Sequence, residues 1–286
     1  MDFSQFQTSK VHYGGSEEKI GLIKEGIHYL IKFQKEDELG LINNHICEYI
    51  GSSIFALFKE DVQVTSIGTY NGRKVVACMD FKKGAEEFVP FNDVGDSSLE
   101  RDRDVYRYTY DNIIEMLEEN RKITNVKDTV EKFWDLYIYD ALLGNFDRHG
   151  SNWGFLKENG KYRMSPIFDN GSCLFPRIVT DKQCREIMNS KAELDKRTYK
   201  FPTSQIKIGR KKSSYFDVIA SLKYKECNEA LKRIYIKIDI KKIKKFINSL
   251  DFISSVQKEF YSTIIENRYK NILRYSYEKL VGEKDE

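Results

Sequence analysis

Apolar residues in the second half of the chain recur at steps of three and four, the period of a helix with one buried face. The pattern runs through 104–119, 126–143, 227–249 and 254–280 and predicts helices there. Val126, Val130, Phe133, Trp134, Tyr137, Ile138, Ala141 and Leu142 carry it across one such stretch. The first hundred residues are patterned differently. Lys19 to Lys24, Gly26 to Phe33, Gln63 to Thr69 and Arg73 to Phe81 are strand candidates. Asn71-Gly72 joins the last two as a two-residue hairpin turn, because both residues accept the positive φ that such a turn needs. Between these pairs, Leu41 to Phe58 places Ile42, Ile46, Tyr49, Ile50, Ile54, Leu57 and Phe58 on one face, which predicts a helix despite Gly51. A further hairpin is predicted within the helical half, Trp153 to Leu156 and Lys161 to Met164 across Asn159-Gly160. The fold class expected is therefore α+β and bilobal: a small β-rich N-terminal lobe over 1–82 and a larger helical lobe over 83–286, with the boundary between Phe81 and Asp93.

The helix predicted over 126–143 runs into Gly144-Asn145-Phe146-Asp147-Arg148-His149-Gly150-Ser151-Asn152, and the hairpin then leads to Ile167-Phe168-Asp169-Asn170-Gly171. An Asp, an Asn five positions later and a second Asp beside a Gly form a set suited to phosphoryl transfer. That reaction needs a carboxylate to orient or deprotonate the acceptor hydroxyl, and oxygen ligands that hold Mg²⁺ on nucleotide phosphates. Asp147 fits the first role; Asn152 and Asp169 fit the second. Each element alone is better explained as a turn former. Their order, helix, Asp loop, hairpin and Asp-Asn-Gly, is what points to a catalytic centre.

The predicted N-terminal lobe holds residues suited to a nucleotide. Gly14 and Gly15, with Ser16, lie between strand candidates, where paired glycines let backbone N–H groups approach phosphates; two glycines also suit a plain tight turn. Lys32, on the strand Tyr29 to Phe33, can bridge the α- and β-phosphates and be held by a helix glutamate. Glu48 is the first choice of partner, with Glu38 and Glu60 flanking its helix. The strand Lys74 to Phe81 leads toward the lobe boundary, and adenine recognition is expected near Met79 and Phe81.

Composition narrows the classes. With 47 Lys and Arg against 44 Asp and Glu, the net charge of +3 is too small to argue direct nucleic-acid binding. The Lys241 to Lys245 cluster alternates with Ile240, Ile243, Ile247 and Leu250, so its lysines read as the solvated face of a helix. No apolar run reaches the ~20 residues that span a bilayer. The N-terminus lacks a secretory pattern. Five cysteines without Cys-x-x-Cys spacing fit a reducing compartment rather than a disulfide framework or zinc site.

The run Gly144 to Trp153 together with Ser165-Pro166-Ile167-Phe168-Asp169 resembles the catalytic and metal motifs of HipA-like serine/threonine kinases, and the likeness extends over most of the chain, through Tyr13-Gly14-Gly15-Ser16, Lys32 and Glu48. Within the family, Leu142 to His149 and Gly171-Ser172-Cys173-Leu174 are most similar to the compact branch of pro-inflammatory, cell-translocating kinases. The resemblance implies a bilobal protein-kinase-like fold, dependence on ATP and Mg²⁺, and transfer to Ser or Thr of a protein, the kinase itself included. It assigns Asp147 as catalytic Asp, Asn152 and Asp169 as metal ligands, and Lys32 as the phosphate-contacting lysine. It also implies a bacterial cytoplasmic setting with delivery to another cell, and an antitoxin-like or regulatory protein partner. Many members carry a serine just before the loop glycine as an autophosphorylation switch; here His12, Tyr13 and Gly14 precede Gly15. The chain begins shortly before this loop, so the resemblance also predicts a kinase without the extra N-terminal segment of longer members. Two other functions share parts of the pattern: a phosphoinositide-type lipid or small-molecule kinase, whose loop also resembles Asp147-Arg148-His149-x-x-Asn152, and a catalytically inactive nucleotide-binding interaction module. Against a lipid acceptor, the basic residues of Cys173 to Lys200 are mixed with acidic ones.

Overall fold

A computed structural model describes residues 1–11, 13–14, 18–98, 109–120, 123–208 and 211–282. The N-terminal part is an antiparallel sheet of β1 (Gln7–Thr8), β2 (Lys19–Lys24), β3 (Ile27–Phe33), β6 (Thr65–Tyr70) and β7 (Arg73–Met79), in the order β1-β2-β3-β7-β6. A short hairpin, β4 (Glu36–Asp37) and β5 (Gly40–Leu41), precedes helix α1 (Asn44–Leu57). The β6–β7 turn has Asn71 and Gly72 at positive φ, the geometry their side chains tolerate. One sheet face buries Phe3, Leu22, Ile31, Phe33, Val75 and Ala77 as a small core. Helix α1 packs against β6 and β7, yet its Ile46, Cys47, Ile50, Ile54 and Phe55 belong to the large core shared with the C-terminal helices. It thus joins the two halves.

The C-terminal part opens with β8 (Glu87–Pro90), α2 (Phe91–Ser98), α3 (Tyr110–Glu119) and α4 (Val126–Leu143). The side chains of Thr109 and Asn125 cap α3 and α4 by accepting N–H bonds, satisfying donors that a helix start leaves free. The hairpin of β9 (Gly154–Glu158) and β10 (Lys161–Met164) forms across Asn159 and Gly160, again both at positive φ. After it come α5 (Asp181–Met188), α6 (Lys191–Asp195) with a π-helical turn over Lys196–Lys200, β11 (Thr203–Ile208), β12 (Lys211–Ser214) and α7 (Tyr215–Ile219). The remaining elements are α8 (Lys225–Lys237), α9 (Ile240–Ser249), α10 (Ser255–Arg268), a π-helical turn over Tyr269–Arg274 and α11 (Tyr275–Gly282). The fold is α+β, with a β-rich N-terminal sheet and a helical C-terminal part, as the patterning predicts.

The predicted helix over 104–119 appears as α3 from Tyr110, with 104–108 outside the described residues, and of the departures from the pattern three have a local cause. First, β8 adds a third strand to the predicted hairpin, and β11–β12 form a second one within the helical half. Strand β8 can pass so closely because β9 starts at Gly154, where a Cβ would collide with the Val89 carbonyl. Second, the helical stretch 227–249 is two helices: Asp239 accepts N–H bonds from Lys241 and Lys242 and so starts α9 afresh. Third, 254–280 is interrupted by the π turn, whose inserted residue leaves a three-and-four apolar step undisturbed to the eye. On α9, Ile243 and Ile247 are buried while Lys241, Lys242 and Lys245 are exposed, the solvated face expected of them. No helix among the described residues is long and apolar enough to cross a membrane. All five cysteines are buried free thiols.

Candidate active site

Helix α4 ends on Gly144, whose left-handed backbone (φ 66) turns the chain out of the helix. The fully buried Asn145 then anchors the loop. Its Nδ2 donates to Asp140 Oδ1 at 3.0 Å, its Oδ1 accepts the Asp147 N–H at 3.0 Å, and its carbonyl accepts the Tyr215 hydroxyl at 2.8 Å. Asn152 closes the loop from the other side, donating from Nδ2 to the Asp147 carbonyl at 2.8 Å and from its backbone N–H to the His149 carbonyl. With Nδ2 engaged in this way, Oδ1 is the atom of that amide suited to a cation. Asp147 itself is partly exposed at the cavity wall.

Arg148 organises the loop from within. Only 4% exposed, it donates from Nε and Nη2 to Asp140 at 2.9 and 3.1 Å, and from Nη2 to Asn170 Oδ1 at 2.7 Å. Its Nη1 reaches the carbonyls of Asn152 at 2.9 Å and of Phe168 at 2.5 Å. One guanidinium thus ties the end of α4, the Asp147 loop and the Asp169 loop together. Burial works against its charge, but Asp140 outweighs burial and keeps the cation more basic than an ordinary arginine. This shared nitrogen, with the β9–β10 hairpin, holds the backbone at Asn152 beside that at Phe168.

The Asp169 loop is held equally tightly on its other side. Ile167 bridges Val62, just beyond α1, and Asp169 adopts a positive φ of 58. Glu48 accepts the Asn170 N–H at 2.8 Å on Oε1 and the Gly171 N–H at 3.1 Å on Oε2. The same carboxylate accepts Lys32 Nζ at 3.0 Å, and Lys32 also meets Asp169 Oδ1 at 2.8 Å. Burial disfavours the lysine charge, but Asp169 and then Glu48 raise its pKa above the usual value. Burial would likewise raise Asp169, yet Lys32 outweighs it and holds the carboxyl below its ordinary range, so it is ionised at neutral pH. Of the three glutamates weighed for Lys32, the structure pairs it with Glu48. Glu60 instead takes the Tyr139 hydroxyl and Lys237.

Lys32, Glu48, Asp147 and Asp169 line one cavity of about 190 Å³, with Lys35 and Phe146. Asn152, Gly14, Met79 and Phe81 do not line it. The Gly14 carbonyl accepts the Lys19 ammonium; Gly15, Ser16 and His12 lie outside the described residues. Met79 ends β7 with its N–H donated to the Val64 carbonyl and its own carbonyl accepting Gln63 Nε2. The Phe81 ring packs on Phe88 and Phe168.

Sequence reasoning missed Asp140, Asn145, Arg148, Asn170 and the reason for Gly51. A Cβ on Gly51 would stand 2.9 Å from the Asn170 Cβ, so this helix glycine is what lets α1 approach the Asp169 loop. Gly51→Ala adds helix propensity of about 1 kcal/mol. It should nevertheless destabilise the protein by about 1–2 kcal/mol through overpacking. Urea unfolding of the two proteins checks the sign; a stabilised variant would show that the loop can yield. For Asp140 a signal existed: a carboxylate on the apolar face between Tyr137, Ile138 and Ala141 must be paired once buried.

Known proteins share this fold. Residues 11–252 match the HipA-like C-terminal domain. The serine/threonine-protein kinase CtkA of Helicobacter pylori (strain J99) is 32% identical to this chain, over 98% of this chain and 87% of that protein. The crystal structure of a Helicobacter pylori proinflammatory kinase CtkA superposes with a TM-score of 0.91, covering 100% of this chain and 99% of the other. The Shewanella oneidensis HipA of a complex with HipB and operator DNA, 14% identical, shares the fold with a TM-score of 0.52 over 93% of this chain and 65% of its own.

Proposed function

The chain belongs to the HipA-like C-terminal domain family, and from that premise we propose that it is an ATP- and Mg²⁺-dependent serine/threonine protein kinase that also phosphorylates itself. The observation that carries this reading is the chain of ion pairs Glu48–Lys32–Asp169 lining a cavity that Asp147 lines as well. Lys32, kept charged by its two carboxylates, would meet phosphate oxygens. Asp169 and the Asn152 amide oxygen would hold the metal. One carboxylate and one amide oxygen suit Mg²⁺, which takes its remaining ligands from phosphates and water. Bound Mg²⁺–ATP supplies the γ-phosphoryl group and neutralises its developing charge. Asp147 orients the acceptor hydroxyl and takes its proton at a carboxylate oxygen. Gly14, Gly15 and Ser16 belong to the phosphate-facing loop in this proposal, and Met79 and Phe81 to the adenine end. The lobes are taken as 1–82 and 83–286. A reducing, cytoplasmic setting fits five buried free thiols.

Titration calorimetry tests the metal assignment. Wild-type protein should bind ATP more tightly with Mg²⁺ than with EDTA, and Asp169→Ala should lose at least about ten-fold of the Mg²⁺-dependent affinity, the scale of one charge-assisted ligand. Equal affinity in Mg²⁺ and EDTA would refute the assignment. Phosphosite mapping by mass spectrometry after incubation with ATP then tests for transfer to Ser or Thr.

A further inference from the structure

An aromatic ledge adjoins Asp147. Phe146, the preceding residue, stacks on Phe201 with ring centroids 6.0 Å apart, and Phe201 meets Phe175 at 6.0 Å. Gln205 Nε2 donates to the Phe146 carbonyl at 2.7 Å, so the segment carrying Phe201 is fastened directly to the residue before the proposed base. Phe175 is 6% exposed and backs the ledge, whereas Phe201 is 44% exposed. Phe146 and Asp147 line the same cavity, so the ledge continues the site outward. Its surroundings are cationic. Glu193 is paired with Arg197, whose guanidinium lies over the Phe175 ring, and Asp195 is paired with Lys191. The exposed Lys196 and Lys200 pair with no carboxylate among the described residues.

We propose that this ledge receives the residue next to the acceptor hydroxyl. On this basis the kinase selects Ser- or Thr-containing polypeptides with a large apolar side chain beside the acceptor and carboxylates beyond it. The apolar side chain gains by covering the Phe201 ring, which water now wets. The carboxylates complement Lys196 and Lys200, steering encounter and fixing register. This inference rests on the kinase reading above.

Serine-centred peptides that differ only in the flanking residue (Phe, Leu or Ala) and in distal charge provide the test. Wild-type protein should favour Phe- and Leu-flanked acidic peptides. Phe201→Ala should lower kcat/KM for these by about ten-fold, mainly through KM, and leave Ala-flanked peptides and the KM for ATP unchanged. Phe201→Leu should restore most of the loss, which separates the ledge from a folding defect. The double variant Lys196→Glu, Lys200→Glu should move the preference toward basic peptides. Equal wild-type rates on Phe-, Leu- and Ala-flanked peptides would overturn the ledge while leaving the kinase reading intact. No transfer from ATP to any peptide or to the protein itself would instead overturn the kinase reading and the ledge with it.

Discussion

Asp147→Ala should lower phosphotransfer by about 10²–10⁴-fold, the usual contribution of a positioned general base. The acceptor oxygen has to lie in line with the leaving phosphate, and a carboxylate at the cavity wall both directs it and accepts its proton. The backbone at this position is fixed independently of the side chain. Asn145 Oδ1 accepts the residue's N–H, and its carbonyl accepts the Asn152 amide. Truncation should therefore leave Asn152, Arg148 and the Asp169 loop in place, with ATP affinity nearly unchanged. Single-turnover transfer measured beside calorimetric ATP binding separates the two effects. Near wild-type turnover by a folded Asp147→Ala protein would refute the mechanism, and a parallel loss of nucleotide binding would recast Asp147 as a ligand.

Arg148→Leu should cost stability as well as activity, by about 3–5 kcal/mol, because it strands a buried partner charge. Asp140 is 1% exposed and takes two guanidinium nitrogens, while the carbonyls of Phe168 and Asn152 lose a donor each. The double variant Arg148→Leu, Asp140→Leu removes both charges and should recover part of the stability, since a buried pair replaced by apolar side chains is often neutral. Activity should not return with it, because the link between the Asp147 and Asp169 loops stays broken. Urea unfolding for the three variants, read beside phosphotransfer, checks the pattern. A single variant as stable as wild type would show that the network does not carry the loop.

Much of this was legible in the sequence wherever one local rule acts alone. The Asn-Gly turns at 71–72 and 159–160, the apolar stripes of α1 and α4, and the order of Asp147, Asn152 and Asp169 follow from spacing and turn chemistry. Glu48 was placed opposite Lys32 by the same logic, and the structure sets them 3.0 Å apart. What spacing could not show was the second use of Glu48, as acceptor for two amides of a loop more than a hundred residues away. Nor could it show Arg148 reaching from one loop into another. Long-range hydrogen bonds leave no period. Strand β8 is short and ends in Pro90, so it lacks the alternation that marked the other strands, and the π turns insert a residue without changing which side chains are apolar.

The double duty of Glu48 has a consequence for inhibitors. Rotating α1 outward would separate Glu48 from Lys32 and at the same moment strip the Asn170 and Gly171 N–H groups of their acceptor. It would also pull Ile46, Ile50, Ile54 and Phe55 from the shared core. Left unsatisfied, the buried Asn170 amide alone costs about 1–3 kcal/mol, and the half-buried Gly171 amide adds less, before any apolar surface is wetted. An outward helix is thus a rare state of this protein. A compound shaped for the space behind such a helix would lose about ten-fold in affinity for every 1.4 kcal/mol needed to create that space. Compounds that accept the inward helix, and reach from the Lys32–Asp169 pair toward Phe201, meet surfaces that already stand in place.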